Sequence, residues 1–388
     1  MTSIEAADTY FAGCVRHSLA SEALPDWPNG WSGVETGRML TQRSEFHGIA
    51  VLLSQAKGAF DGWPDDVADS LREEARLAAL WEATHRLALT ALLTQLADAG
   101  VNATVMKGTA LAYLYYEVPA MRRRGDTDLL VRPEDAQATR HILQKAGYSR
   151  RNDPHGLYFQ ETWILNLGAD LDHSIDLHWE PADRPLLQRI LTNDEFARNS
   201  QPVPQLGSQV QAPSAMLMLV HGAINQAWHV ARGFYVDGAK ILGGRRLIWS
   251  VDYAHLTRDF SDDDWDKLVR FCEQRDARSI VYSALSGAQQ DIGLHVPASI
   301  MERLKQDQAR SPTHRYIANP DSISDAQTDL LAAGTASARL RILAMAAFSP
   351  RDHLVGKYPH LSHWPTFALQ LRRYAGMGRR LFKRAEHS

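Results

Sequence analysis

The longest run of helical periodicity lies between about residues 66 and 99, "VADSLREEARLAALWEATHRLALTALLTQLADAG". Leu71, Leu77, Leu80, Leu87, Leu92 and Leu96 recur at spacings that put them on one or two apolar faces of a helix, and Gly100 supplies a stop. The pattern then shortens. "VNATVMKG" is brief, β-branched and ends at glycine, which predicts a buried strand. "TALAYLYYEV" predicts a helix with Thr109 as its N-cap, and "TDLLV" a second strand. "RPEDAQATRHILQKAGY" has Pro133 in the first turn, Glu134 and Asp135 at the positive dipole end, Ile142 and Leu143 facing inward, and Gly147 as terminator. "LYFQETWILNLG" and "HSIDLHWE" predict two strands of a hairpin turning around "ADLD".

Strand, helix, strand, helix, strand, strand over residues 100 to about 180 predicts a small α/β unit with a mixed sheet. Residues 1 to about 40, with the turn-rich "LPDWPNGWSG", read as a loosely packed lead-in. From about 205 the chain is mainly helical, and "SDDDWDKLVRFCEQ" has a capping-box start at Ser261 and Asp264. The expected organisation is a helical region over 1–99, an α/β core over 100–200, a helical region over 201–345 and a basic tail over 346–388.

Composition narrows the function classes. The 388 residues exceed one small core, 45% are hydrophobic and 22% charged, and the formal net charge of -3 gives no general argument for nucleic-acid or membrane binding. Cys14 and Cys272 form no metal or redox spacing, which favours a reduced, cytoplasmic protein. No leader pattern opens the sequence, and "AMLMLV" is far short of a bilayer span. The tail carries Arg372, Arg373, Arg379, Arg380, Lys383 and Arg384, a candidate surface for RNA phosphates or an acidic membrane, or a solvated helix face.

The chemistry concentrates in "RRRGDTDLLV". Burying an unpaired carboxylate is costly, so Asp126 and Asp128 need arginines, solvent or metal ions. On a strand, i and i+2 share a face, so both carboxylates can lean toward a pair of metal ions about 3.5–4 Å apart. Upstream, Gly108 and Thr109 sit where a helix N-terminus can meet phosphate, with Lys107 as a point charge. Downstream, Asp176 in "SIDLHW" offers a third carboxylate and a proton acceptor, with Ile175 and Leu177 on the opposite face; Asp172 is a rival. Arg124 beside Gly125 can meet a triphosphate or balance the aspartates, while the neighbouring arginines read as solvated.

The ordered set "MKGTALAYLYY", "RRRGDTDLLVRPEDAQATRHILQKAGY" and "IDLHWE" resembles the bacterial family of uncharacterised nucleotidyltransferases, within the DNA polymerase β-like superfamily. "LVHGAINQAWH", "LIWSVDYAHL" and "DDDWDKL" extend the resemblance over roughly residues 65 to 300. It departs in Thr109, where serine or glycine is usual, and in Thr127, where the D-x-D centre is usually apolar. The resemblance implies an α/β nucleotidyltransferase core flanked by helical regions, an NTP substrate, and two Mg²⁺ ions (or Mn²⁺) held by Asp126, Asp128 and Asp176. Nucleotide contacts would come from Lys107, Gly108, Thr109 and Arg124, and His178, His221, Asn225, His229, Arg246 and Asp252 are candidates for the substrate cleft. The acceptor stays open among tRNA ends, protein side chains, peptides, sugars and small molecules, as does a catalytically inactive nucleotide-binding scaffold or sensor.

Overall fold

A computed structural model describes residues 3–151, 160–168, 171–236, 239–241, 244–305, 310–318, 322–349 and 351–385. Its centre is a seven-stranded mixed sheet in the order β3-β4-β5-β2-β1-β7-β6. The strands are β1 (Thr104–Val105), β2 (Thr127–Leu130), β3 (Ser149–Arg150), β4 (Gln160–Asn166), β5 (Asp172–His178), β6 (Ser200–Pro202) and β7 (Gln211–Pro213). The expected hairpin is β4 and β5, antiparallel from Gln160↔His178 to Asn166↔Asp172; residues 157–159 and 169–170 of that reading lie outside the described residues. The sheet continues past residue 200, because β7 runs parallel to β1 and pairs with β6. β6 and β7, three residues each and without a β-branched side chain, carry too little pattern to be read from sequence.

The helices nearest the sheet are α1 (Ile4–Leu19), α2 (Val34–His47), α3 (Ala50–Ser54), α4 (Asp65–Asp98), α5 (Lys107–Tyr115) and α6 (Ala136–Lys145). After β5 come α7 (Pro185–Gln188), α8 (Asn193–Arg198), α9 (Ala215–Arg232), α10 (Leu247–Thr257), α11 (Asp262–Gln274) and α12 (Arg278–Ile292). A small hairpin, β8 (Phe234–Val236) with β9 (Ala239–Ile241), separates α9 from α10. The chain ends with α13 (Ala298–Leu304), α14 (Pro312–Ala318), α15 (Ser322–Ala332), α16 (Ala336–Ala347), α17 (Arg351–Lys357) and α18 (Thr366–Ala385).

Three expectations need correction. Residues 4–19 are not a loose lead-in: α1 buries Ala7, Phe11, Cys14 and Val15 and packs on α2 and α12. On α4, Leu71, Leu92 and Leu96 face the core, but Leu77, Leu80 and Leu87 are exposed, so a 34-residue helix presents more apolar surface than its neighbours cover. Thr109 is not an N-cap: α5 begins two residues earlier, at Lys107, whose φ of +47° makes the turn out of β1. That left-handed region is rarely adopted by residues other than glycine. The start of α11 follows the sequence closely, with both arms of the Ser261–Asp264 capping box formed. Both cysteines are free and buried.

Candidate active site

β2 and β5 run parallel, in a register that sets Asp128 against Asp176 and Thr127 against Ile175. Because side chains alternate along a strand, Asp126, Asp128, Asp176 and His178 share one face, and Thr127, Ile175 and Leu177 the other. Ile175 and Leu177 are fully buried there. The polar face floors a cleft of about 990 Å³ bounded by α1, α2, α5, α9 and α10.

Asp128 is the hub of the floor. Its Oδ1 accepts from Lys107 Nζ at 2.6 Å and from His178 Nε2 at 2.9 Å. Asp176 accepts from Thr162 Oγ1 at 2.7 Å across the β4–β5 pair. Asp128, Asp176 and His178 each offer a ligand atom within 4.8 Å of the others. Two carboxylates and an imidazole suit a divalent ion, with the carboxylates matching Mg²⁺ or Mn²⁺ and the imidazole accepted more readily by Mn²⁺.

Electrostatics points the same way. Enclosure at the cleft floor pushes the Asp126 carboxyl above its usual range, as do the charges of Asp128 and Asp176. Asp126 remains open to cleft water, so the like charges are the cause that survives solvation. Burial and Asp128 push Asp176 up in the same sense. Asp128 goes the other way: burial would raise it, but Lys107 and His178 outweigh burial and hold it well below the carboxylate range. Lys107, which burial would deprotonate, is kept charged by Asp128, Asp183 and Asp176. One ammonium thus neutralises one of three clustered carboxylates, and the floor still lacks positive charge.

The walls supply cations and rings. Arg123 lines the cleft and makes no hydrogen bond or ion pair through its guanidinium among the described residues. Arg246 also lines it, donating Nε to the carbonyl of Phe46 at 2.6 Å. Burial and the nearby Arg122 lower its pKa to about 10. Gly48 makes room for this arginine: a Cβ there would stand 3.0 Å from Arg246 Nη2, on a backbone with φ +70°. Arg43 on α2 pairs with Asp8 of α1 through two bonds of 2.7 and 2.8 Å. His47 donates Nε2–H to the same Asp8 at 2.9 Å while its Nδ1 accepts from the backbone N–H of Leu247, so α1, α2 and α10 are locked together behind the wall. Phe46, Trp228 and Trp249 add aromatic surface.

The residues picked from sequence separate into groups. Lys107, Gly108, Asp126, Asp128, Asp176, Asn225, His229 and Arg246 border the cleft, and His178 sits under Asp128. Arg124 reaches the cleft only through part of its side chain; its guanidinium turns into the core, 2.7 Å from Glu82 and near the Trp81 and Tyr113 rings. Thr109 is buried, with Oγ1 3.1 Å from Thr127 Oγ1. His221 is buried beside Phe196, and burial followed by Lys107 pulls its pKa to about 3. Asp252 is buried under the wall, bonded to Arg122 Nε and Tyr116 Oη at 2.7 Å each. The rival Asp172 lies at the hairpin turn with Asn166.

Sequence reading passed over α1 and α2, Arg43, Arg123, Trp228 and Trp249. A signal existed for α1: Ala7, Phe11, Cys14 and Val15 fall at i, i+4, i+7 and i+8. None existed for Arg123, because its neighbour Arg122 is held by a residue 130 positions away.

A profile described as "Uncharacterised nucleotidyltransferase" matches residues 38–291, which include every strand and the whole floor of the cleft. No curated protein and no solved structure matches the chain. With most of its length matched and the carboxylate floor inside that match, the chain belongs to this family of uncharacterised nucleotidyltransferases.

Proposed function

We propose that the cleft transfers the NMP moiety of an NTP to a hydroxyl, less readily an amine, of an acceptor. The observation that carries this reading is the β2–β5 register, which sets Asp128 beside Asp176 on the face that also bears Asp126. When bound at Asp126, Asp128 and Asp176, two Mg²⁺ ions, or Mn²⁺, supply neutralisation of the triphosphate and activation of the acceptor.

The protein's own groups do the positioning. Lys107 and His178 fix the orientation of Asp128 through its Oδ1. Arg123 and Arg246 offer cations to the β- and γ-phosphates, and the α5 N-terminus offers backbone N–H groups near Gly108. The rings of Phe46, Trp228 and Trp249 give a nucleobase apolar surface. Asp176, whose pKa is raised, accepts the proton as the acceptor oxygen forms its bond to the α-phosphorus. The bond from that phosphorus to the β-bridging oxygen breaks, and pyrophosphate leaves.

The test is incubation of the full chain with each α-labelled NTP, Mg²⁺ or Mn²⁺, and a pool of cell metabolites, RNA and protein. Label should move onto an acceptor with stoichiometric pyrophosphate, and Asp126→Asn with Asp128→Asn should abolish both. Transfer that survives the double change would contradict the carboxylate assignment. A second reading, a nucleotide sensor without turnover, is favoured by one observation: Lys107 already sits 2.6 Å from Asp128. Calorimetric NTP binding with no transfer to any acceptor would favour it.

A further inference from the structure

The C-terminal helices lie beyond the family match, which ends at residue 291. From Leu331 to Ala385 the sequence has ten lysines or arginines and one acidic residue, Asp352, in a chain whose overall charge is negative. The same segment leaves large apolar side chains in solvent. On α18, Phe367, Leu371 and Tyr374 fall at i, i+4 and i+7, one stripe of a helix, and are 68%, 61% and 38% exposed. Leu369, on the opposite side of the helix, and Gln370, at the edge of the stripe beside Tyr374, are buried.

A second set of exposed apolar residues lies on and just after α16. The carbonyl of Ala347 accepts from Gln370 Nε2 and from Tyr374 Oη, which docks the end of α16 on the middle of α18. Phe348, next in the chain, is 76% exposed, and Leu343 and Leu340, one and two turns back along α16, are 51% and 66% exposed. Two helices joined at Ala347 therefore both leave large apolar side chains in solvent, more than scattered exposed residues account for. Arg372 adjoins it, exposed, and Arg379, Arg380, Lys383 and Arg384 follow on the same helix.

We infer that the α16–α18 surface docks on an anionic lipid membrane, with Phe348, Phe367 and Leu371 entering the headgroup region and the basic charge of the segment drawing it to lipid phosphates. A cationic helix with an unpartnered apolar stripe lies in a bilayer interface, its affinity rising with both apolar area and anionic lipid. Charge complementarity selects this occupant over a neutral or basic protein, and the apolar stripe selects it over RNA, which would need the arginines alone. No described helix is long and apolar enough to cross a membrane, so the contact is peripheral. Through α15 the surface is tied to the cleft wall, since Asp325 pairs with Arg232 of α9 and Asp329 with Arg184.

The experiment is co-sedimentation of the full chain with vesicles of pure phosphatidylcholine or with one-third phosphatidylglycerol. Retention on the anionic vesicles is expected, with roughly tenfold weaker retention on the neutral ones. Phe367→Ser with Leu371→Ser should weaken it by about tenfold or more, as should Arg372→Gln with Arg379→Gln and Arg380→Gln. Leu343→Ser gives an independent probe of the same surface, and an unchanged melting temperature shows each variant folded. No retention on anionic vesicles overturns the inference. So does retention indifferent to the apolar changes, tight binding of an RNA oligonucleotide that only the arginine changes remove, or a dimer that the apolar changes convert to monomer without altering retention.

Discussion

The two faces of β2 and β5 are both polar near residues 126–128, and they are polar in opposite ways. On the cleft face three carboxylates share one ammonium and one imidazole, and two of the three are pushed toward protonation by their neighbours. On the reverse face the polar groups nearest Thr127 are neutral and linked in a chain of hydrogen bonds and ring contacts. Thr109 Oγ1 meets Thr127 Oγ1 at 3.1 Å, which meets His85 Nε2 at 3.2 Å. His85 stacks on Trp81 and lies 4.6 Å from His173, whose Nδ1 is 2.6 Å from Tyr148 Oη. An unbalanced polar surface is suited to binding charge from outside, and a neutral bonded one to holding the strand that carries it. Thr127 at the centre of the D-x-D belongs to the second kind.

The largest expected difference between the faces is in activity. Asp128→Asn or Asp176→Asn should lower kcat/KM for transfer by about a hundredfold or more. Asp176→Asn should do so with a melting temperature at or above that of the parent, because it removes like-charge repulsion, whereas Asp128→Asn leaves Lys107 without its partner and should lower it. His85→Leu, by contrast, should lower the melting temperature while sparing most of kcat.

Stability separates them next. Asp252→Ala leaves Arg122 buried without its partner, and unfolding in urea should show a loss of about 3–5 kcal/mol. Acid should act on the reverse face. Burial, with help from Arg124, lowers the His173 pKa to about 4 and pushes His85 down as well. Both are neutral when folded and titrate near 6.5 when unfolded, so the unfolded chain binds more protons below that pH. Stability is then full above about pH 6.5 and falls toward pH 4, by roughly 3 kcal/mol for His173. The urea midpoint of the parent relative to His173→Gln, measured across that window, should rise with pH, while the raised Asp126 and Asp176 carboxyls pull both proteins' slopes the other way.

The smallest effect tests the cleft wall. Arg123→Ala should weaken NTP binding by about tenfold, near 1.4 kcal/mol, and change stability by less than about 0.5 kcal/mol. Equal NTP affinity in the variant would remove Arg123 from the phosphate site.

How much of this was legible depends on the range of the interactions. The carboxylates, the β5 hairpin, α4, α6 and the α11 cap are local patterns of period 2 or 3.6, and they read directly. Which arginine keeps its guanidinium for the cleft did not, because Arg122, Arg123 and Arg124 look alike in sequence while Asp252 claims the first and Glu82 the third. Both partners are remote in the chain. The exposure of Leu77, Leu80 and Leu87 was equally hidden, since periodicity marks an apolar face without saying what covers it. Thr127 looked like a departure from pattern; its reason is His85, 42 residues away.

The central claim is that the cleft face of β2 and β5 holds divalent ions. Manganese titration of the full chain followed by electron paramagnetic resonance reads this without any acceptor. The account predicts saturable Mn²⁺ binding that Asp128→Asn with Asp176→Asn eliminates and that added NTP strengthens. Mn²⁺ binding unchanged in the double variant, or absent from the parent chain even with NTP, would contradict it.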